Sequence, residues 1–443
     1  MFKTFKIGGV HPEANKLSAA KPIVDAQIPK VAIIPLGQHI GAPATAIVQK
    51  GDTVKVGQLI GEAAGFVSAN IHSSVSGTVD KVDVAVDVAG FKKPAIYINV
   101  EGDEWLETID RTDTLITEIK DDAKTIISKI KDAGIVGMGG ATFPAHVKLA
   151  IPEGKKADFL IINGVECEPY LTADHRLMLE KSEEMLIGVK ILMKAINVNK
   201  AYIGIEANKP DAIEKLSKLC EKEQGIEIVP LKLKYPQGGE KQLINAVSGR
   251  EVPSGKLPID AGAVVQNVGT AFAVYEAVQK NKPLIERIVT VTGKTVSDPT
   301  NFKARIGTPI ADLITAAGGD IENSGKIISG GPMMGKAMSN IESTVTKGTS
   351  GLLLMNKAES LRPKADPCIR CGKCVDACPM GLEPYLLAQY GQRQMWDEAE
   401  TNHIMDCIEC GCCIFSCPAN RPILDYVRLA KNTVGKLIRL RKQ

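Results

Sequence analysis

Nine of the chain's eleven cysteines lie between Asp366 and Pro418, and they fall into two copies of one spacing. The first copy is Cys368, Cys371, Cys374 and Cys378, followed by Pro379; the second is Cys407, Cys410, Cys413 and Cys417, followed by Pro418. Cys412 stands outside the pattern. Each copy reads Cys-x-x-Cys-x-x-Cys-x-x-x-Cys-Pro, a spacing that holds a cubane 4Fe-4S cluster. Three thiolates two residues apart let a short loop wrap three corners of a cube, with its N–H groups turned toward the sulfides. Structural zinc instead takes its ligands as two pairs across a long spacer. Disulfide frameworks belong to small secreted domains, whereas this chain has 443 residues and an N-terminus that reads as neither a signal nor a transit peptide.

In two-cluster ferredoxins the last cysteine of each run ligates the cluster of the other run. By that rule Cys368, Cys371, Cys374 and Cys417 hold one cluster, while Cys378, Cys407, Cys410 and Cys413 hold the second. Cys412 is left without a cluster, and the chain is expected to carry electrons.

A length of 443 residues at 44% hydrophobic content leaves room for three or four domains with real cores. A formal charge of +3 gives no reason to expect a nucleic-acid partner, and 4% aromatic residues are too few for base-stacking platforms. No window of about eighteen apolar residues spans a bilayer, so membrane contact would be peripheral. Thiolates require a reducing compartment, which points to the cytoplasm.

The chain reads as a multidomain α/β protein. Residues 1–105 are short apolar runs broken by glycine and proline, the texture of a small all-β domain. Ala46–Asp52, Val56–Ile60 and His72–Val79 resemble a lipoyl-type barrel sandwich. A carrier lysine would fall near Ala64-Gly65-Phe66, where there is none, so the barrel reads as structural, and His39 and His72 receive no ligand role. Residues 115–280 alternate helices with β-branched runs, as in a Rossmann-like domain with a largely parallel sheet. Its Gly134–Pro144 stretch, with Gly137, Gly139 and Gly140 and then Lys148, lets backbone N–H groups approach a phosphate, and a helix starting near Pro144 would add its positive end. Asn163 to Tyr170 follows a strand directly, where open α/β sheets bind ligands. Its asparagine and the carboxylates of Glu166 and Glu168 suit ribose, ribityl or carboxamide groups. Tyr235–Lys241 is a further glycine turn ahead of a helix. The plain alternative for each stretch is a solvated turn.

Residues 283–338 hold β-rich pieces that resemble a small β-grasp module and read as a spacer, and Ser339 to Gly351 reads as a linker. Residues 360–425 form an α-helical ferredoxin-like domain in which Leu382 to Glu400 is helix and His403 an ordinary surface residue. Residues 426–443 form a basic helix with Arg428, Lys431, Lys436, Arg439, Arg441 and Lys442, either a solvated face or a contact for an anionic membrane or acidic partner. Cys220 reads as core. Cys167, between two glutamates, is expected to have a raised pKa and to be a poor nucleophile.

In this order the three loops resemble those of the NADH- and FMN-binding flavin subunit of respiratory complex I, whose pattern is Gly-Arg-Gly-Gly-Ala-Gly-Phe-Pro and then Asn-Ala-Asp-Glu-x-Glu-Pro. With the barrel and the paired cysteine runs, nearly the whole chain resembles the RnfC family, a component of the Rnf electron-transport complex. The β-grasp module likewise resembles that family's SLBB domain. The resemblance implies a peripheral subunit, on the cytoplasmic face of the membrane, of an ion-translocating NAD:ferredoxin oxidoreductase. It would exchange electrons between NADH as substrate and two 4Fe-4S clusters through noncovalent FMN, with no side chain acting as acid or base. Its partners would be other Rnf-type subunits, especially an iron-sulfur subunit, with ferredoxin reached indirectly. Carried over by position, Gly137, Gly139, Gly140, Lys148, Asn163 and Glu166 fall at the FMN, and Glu168 and Glu240 nearer the nicotinamide nucleotide. Met138 replaces the loop arginine, Val165 an aspartate and Lys241 a second glutamate. An iron-sulfur relay without NADH chemistry and an assembly adaptor are the alternative readings.

Overall fold

Four apolar runs, Phe159–Asn163, Ala201–Glu206, Ile226–Leu231 and Ala263–Asn267, build an all-parallel sheet at the centre of the computed structural model, which describes residues 2–441. The spatial order is Ile226–Leu231, Ala201–Glu206, Phe159–Asn163, Ala263–Asn267. Both faces are covered, which is why the strands read as near-continuous hydrophobic runs. Leu160, Ile162, Ile203, Ile205 and Val264 face one core, with the helices Ser182–Ala195 and Val268–Gln279. Phe159, Ile161, Val229, Leu231 and Val265 face the other, closed by Leu243, Ile244 and Phe5. The chain steps outward twice from Phe159–Asn163 and then returns to its opposite side, so the strand order reverses between Phe159–Asn163 and Ala263–Asn267.

The barrel comprises a four-stranded sheet (Val31–Pro35, Lys92–Val100, Gly77–Val86, Thr53–Val54) and a three-stranded one (Thr45–Ala46, Leu59–Glu62, Ile71–His72). Ala64-Gly65-Phe66 is an exposed tip. Residues ahead of Val31 do something the sequence did not announce. Lys3 bridges Leu231, Val10 bridges Tyr235, and Ile23–Asp25 adds an edge strand beside Thr300–Arg305. This strap is a single extended layer whose bonding partners lie hundreds of residues away, and no periodicity marks it.

The β-grasp module also recruits more chain than expected. Its six-stranded sheet includes Glu286–Gly293, Thr300–Arg305, Ser324–Ser329 and Lys336–Ala337, with Gly351–Asn356 inserted between the first and third of these. The stretch expected as a linker is packed, not free. Thr344 Oγ1 donates to Ile33 O, and buried Lys347 donates from Nζ to Asn70 O at 2.6 Å and Gly134 O at 2.7 Å.

In the cysteine-rich domain the expected helix over Leu382–Glu400 is two, Pro384–Gln392 and Trp396–Thr401, interrupted where Gln394 takes φ +58°. The last helix, Ile423–Leu440, begins before residue 426 and belongs to this domain. It buries Ile423, Leu424, Val427, Ala430 and Val434 against Pro384–Gln392, and each large aliphatic among them contributes about 1.5–3 kcal/mol as an upper estimate. Gly391 permits the approach, since a Cβ there would stand 2.4 Å from Tyr426 O. Three of the basic residues are tied down rather than offered to a partner: Arg428 and Lys431 pair with Glu409, and Arg441 with Glu400. Lys442 lies outside the described residues. No described helix is long and apolar enough to cross a membrane.

Candidate functional site

Open α/β sheets bind ligands in the crevice where the strand order reverses, beyond the carboxyl ends of the strands. Here the two strands flanking that point end on register-paired asparagines, Asn163 and Asn267. Asn163 donates from Nδ2 to Gly238 O at 2.9 Å and accepts from Val165 N at 3.1 Å. Asn267 accepts from Gly269 N at 2.8 Å, capping the helix Val268–Gln279, and donates from Nδ2 to Asp174 at 2.7 Å. The glycine loop closes over Asn267: a Cβ on Gly139 would stand 3.0 Å from that of Asn267, whereas Gly140 faces open space. Gly137 donates to Phe143 O within the loop, and Met138 N donates to Thr270 Oγ1. Met138 is itself buried, so the residue standing in for arginine packs into the core instead of reaching toward a ligand.

The helix after Pro144, Ala145–Leu149, starts where expected but is too short to offer a developed dipole. It carries Lys148, whose Nζ meets Glu240 Oε1 at 2.5 Å across the crevice. The Asn163–Tyr170 turn is tightly determined. Lys16 Nζ donates to the carbonyls of Glu166, Glu168 and Leu171, and Glu166 and Tyr170 take positive φ. Glu166 accepts the N–H groups of Asp174 and His175, holding the start of the helix Ala173–Glu180. Glu168 accepts Met334 N at 2.7 Å and Met333 N at 3.1 Å from the loop after Ser324–Ser329, and burial raises its pKa. Among the expected residues, then, Gly137, Gly139, Gly140, Lys148, Asn163 and Glu240 gather at the crevice, while the carboxylates of Glu166 and Glu168 bond to protein backbone. Cys167 behaves as a poor nucleophile should, its thiol pushed up to about 12 by burial first and Glu206 second.

The thiols form two groups. Cys413 has a raised pKa, from burial first and then from the nearby Cys407, Cys410 and Cys378. These four line a cavity whose remaining walls include Leu382, Leu387, Leu424 and Val427. Cys374 is likewise raised by burial, with Cys417 and Cys368 adjoining it. The last cysteine of each run thus stands beside the other run. Among the described residues no three His, Cys, Asp or Glu side chains converge on a point that could hold one metal ion. A cubane asks for something wider, because each thiolate takes a different iron, and the apolar, thiol-lined cavity suits it.

One residue joins crevice to cavity. Tyr235, 2% exposed, donates from its hydroxyl to Cys410 O at 2.8 Å, and Cys412 Sγ approaches Tyr235 O at 3.8 Å. Gln242, beyond the same turn, donates to Pro379 O at 3.2 Å. Cys412, which the spacing left without a ligand role, therefore forms part of the cavity wall. Asn267 and Thr270 escape the sequence reading, and Tyr235 enters it only as the start of a glycine turn. The signal for Asn267 was present, an apolar run ending on asparagine just as Phe159–Asn163 does. Crevice and cavity also fit the groups the resemblance implies: Gly140 leaves room for a ligand, and Gln266 Nε2, buried at the carboxyl end of its strand, has no protein partner among the described residues.

Four known domains match the chain in order: the RnfC barrel sandwich hybrid domain over residues 3–103, the Nuo51 FMN-binding domain over 130–276, the SLBB domain over 288–337 and the 4Fe-4S dicluster domain over 361–418. The chain is 52% identical over 441 residues to the C component of the proton-translocating ferredoxin:NAD(+) oxidoreductase complex of Clostridium ljungdahlii, covering 98% of this chain and 94% of that one. It is 49% identical over 433 residues to the C component of the Na(+)-translocating ferredoxin:NAD(+) oxidoreductase complex of Acetobacterium woodii, covering 97% of each. Among solved structures, an NAD+-reducing NiFe-hydrogenase in the H2-reduced state superposes with a TM-score of 0.50 at 18% identity, over 72% of this chain and 63% of the hydrogenase chain, a likeness of fold.

Proposed function

The chain belongs to the RnfC family, the C components of ion-translocating ferredoxin:NAD(+) oxidoreductase (Rnf) complexes, and from that membership we propose that it passes electrons between NADH and two 4Fe-4S clusters by way of FMN. A bound flavin supplies the exchange between two-electron nicotinamide chemistry and one-electron cluster chemistry. The residues do the holding. Gly137, Gly139 and Gly140 would admit the flavin at the crevice, Lys148 would flank it, and Asn163 and Glu166 would hold the turn beside it. Glu168 and Glu240 stand on the side where a nicotinamide nucleotide would enter. Cys378, Cys407, Cys410 and Cys413 take the cluster next to the flavin domain, and Cys368, Cys371, Cys374 and Cys417 take the outer one.

The observation that carries this reading is the shared wall. Tyr235 bonds to Cys410, and the turn that begins at Tyr235 ends at Glu240 in the crevice. Groups held at these sites would line up as crevice, inner cluster site and outer cluster site, the order in which electrons would pass. Cys368 and Cys371 are exposed, so the outer site is open to a partner, which we take to be an iron-sulfur subunit of the same complex, with ferredoxin beyond it. We place the chain peripherally, on the cytoplasmic face.

Anaerobic purification with a count of flavin, iron and sulfide, followed by titration with NADH, tests this. The expected result is noncovalent FMN with about eight irons per chain, both bleached by NADH. Eight irons without flavin or NADH response would reduce the protein to a relay.

A further inference from the structure

Arg287 is a buried charge without an ion pair among the described residues. It lies at the start of the strand Glu286–Gly293, in the β-grasp module, and is 7% exposed. A guanidinium taken that far out of water ordinarily has a carboxylate partner. Arg287 makes no salt bridge among the described residues; Nε donates to Thr349 O at 3.2 Å and Nη2 to Met138 O at 3.4 Å, both long for a charged donor. Nη1 has no hydrogen-bond partner among the described residues, and it points at the flavin-type domain. A Cβ on Gly269 would stand 3.6 Å from it. Gly269 is in the first turn of the helix Val268–Gln279; its own N–H is capped by Asn267, and the other first-turn N–H groups have no intrahelical acceptors. Asp174 is the carboxylate whose charge reaches Arg287, and it makes no salt bridge with it; one of its oxygens, Oδ2, accepts from Asn267 instead.

A twelve-residue helix thus turns its positive end toward a buried guanidinium whose Nη1 is free of protein acceptors among the described residues, beside the glycine loop. That pairing has the chemistry of a phosphate site: a planar fork of N–H donors meeting backbone N–H groups around tetrahedral oxygens. We propose that Arg287 reaches across from the β-grasp module to bind the phosphate of FMN, against the amino end of the helix Val268–Gln279. The module is then part of the flavin site and no mere spacer, and the guanidinium comes from outside the loop in which Met138 is buried. The inference rests on the flavin reading above.

The test compares FMN with riboflavin, which lacks only the phosphate, by quenching of flavin fluorescence on the full chain freed of its flavin. The wild type should prefer FMN at least about tenfold. Arg287→Gln should weaken FMN by about 10- to 100-fold, as expected for one or two charge-assisted hydrogen bonds, and leave riboflavin unchanged. Arg287→Lys, which keeps the charge and loses the fork, should fall between them. If Arg287 only packs one domain on another, Arg287→Gln weakens both flavins equally, and the proposal is overturned. Equal affinity of the wild type for both flavins overturns it without any variant, should Arg287→Gln fail to fold. A wild type that binds neither flavin instead removes the flavin reading itself.

Discussion

The two cysteine runs are the same loop in different surroundings. Each has a left-handed residue two positions after its first cysteine, Arg370 at φ +55° and Glu409 at +58°. Each then has a left-handed glycine, Gly372 at +77° and Gly411 at +82°, capping a one-turn helix. Each has another left-handed residue three positions after its last cysteine, Gly381 at +65° and Asn420 at +50°. Spacing therefore dictates the backbone twice over. Beyond the loop the likeness ends. Cys368 and Cys371 are exposed, as is nearly every residue from Leu361 to Cys371, whereas Cys410 and Cys412 are buried against Tyr235. The local repeat determines what each run can hold; the neighbouring domain determines what each can exchange electrons with.

The largest test of this comparison exchanges cysteines across it. In the crossed arrangement Cys378→Ser removes the inner cluster, although Cys378 belongs to the first run in sequence, and Cys417→Ser removes the outer one. Each variant should keep about half the iron. A hydrophilic iron chelator should strip the cluster left in Cys378→Ser quickly and the one left in Cys417→Ser slowly; the reverse order would mean that each run keeps its own cluster.

The glycines sharpen the contrast next. Gly372→Ala and Gly411→Ala carry the same left-handed strain, about 1–2 kcal/mol. A Cβ on Gly372 meets nothing within 4 Å, while one on Gly411 stands 3.0 Å from Met333 O. Gly411→Ala should therefore lower the thermal midpoint more, and equal losses would show that the inner run is less tightly enclosed than described. Tyr235→Phe should cost about 0.5–1.5 kcal/mol in denaturant unfolding, the worth of one neutral hydrogen bond, with iron content unchanged. Smallest is Glu409→Gln. Its pairs with Arg428 and Lys431 are partly exposed, so the loss should stay below about 1 kcal/mol, and a larger one would make that cluster of charges a true fastener of the last helix.

What the sequence revealed and what it hid divides along the same physical line. The cysteine runs, the Gly134–Pro144 loop and the apolar parallel strands are local patterns, and each was legible because backbone geometry demands those residues at those intervals. The strap of Lys3 to Asp25 and the strand Gly351–Asn356 were not, because their pairing partners are distant in sequence and their composition is ordinary. Cys412 shows the limit of spacing as a guide: excluded by the ligand pattern, it lies in the cavity wall. Glu166 and Glu168 show what carrying residues over by position leaves out. Both sit in the turn anticipated for them, yet their carboxylates are satisfied by backbone N–H groups that only the folded chain brings close. Arg287 left a trace, a charge at the head of an apolar strand, whose meaning depends on which domain lies opposite.

The most direct test of the whole arrangement is rapid-mixing reduction by NADH with the clusters followed by electron paramagnetic resonance, in wild type and in Cys378→Ser. If the inner cluster lies between crevice and surface, the outer cluster of Cys378→Ser should still be reducible by dithionite but respond to NADH at least about a hundredfold more slowly, since a barrier rise of about 2.7 kcal/mol already gives that factor. Reduction of the outer cluster by NADH at the wild-type rate would contradict the account, because electrons would then reach the surface without crossing the wall that Tyr235 and Cys410 share.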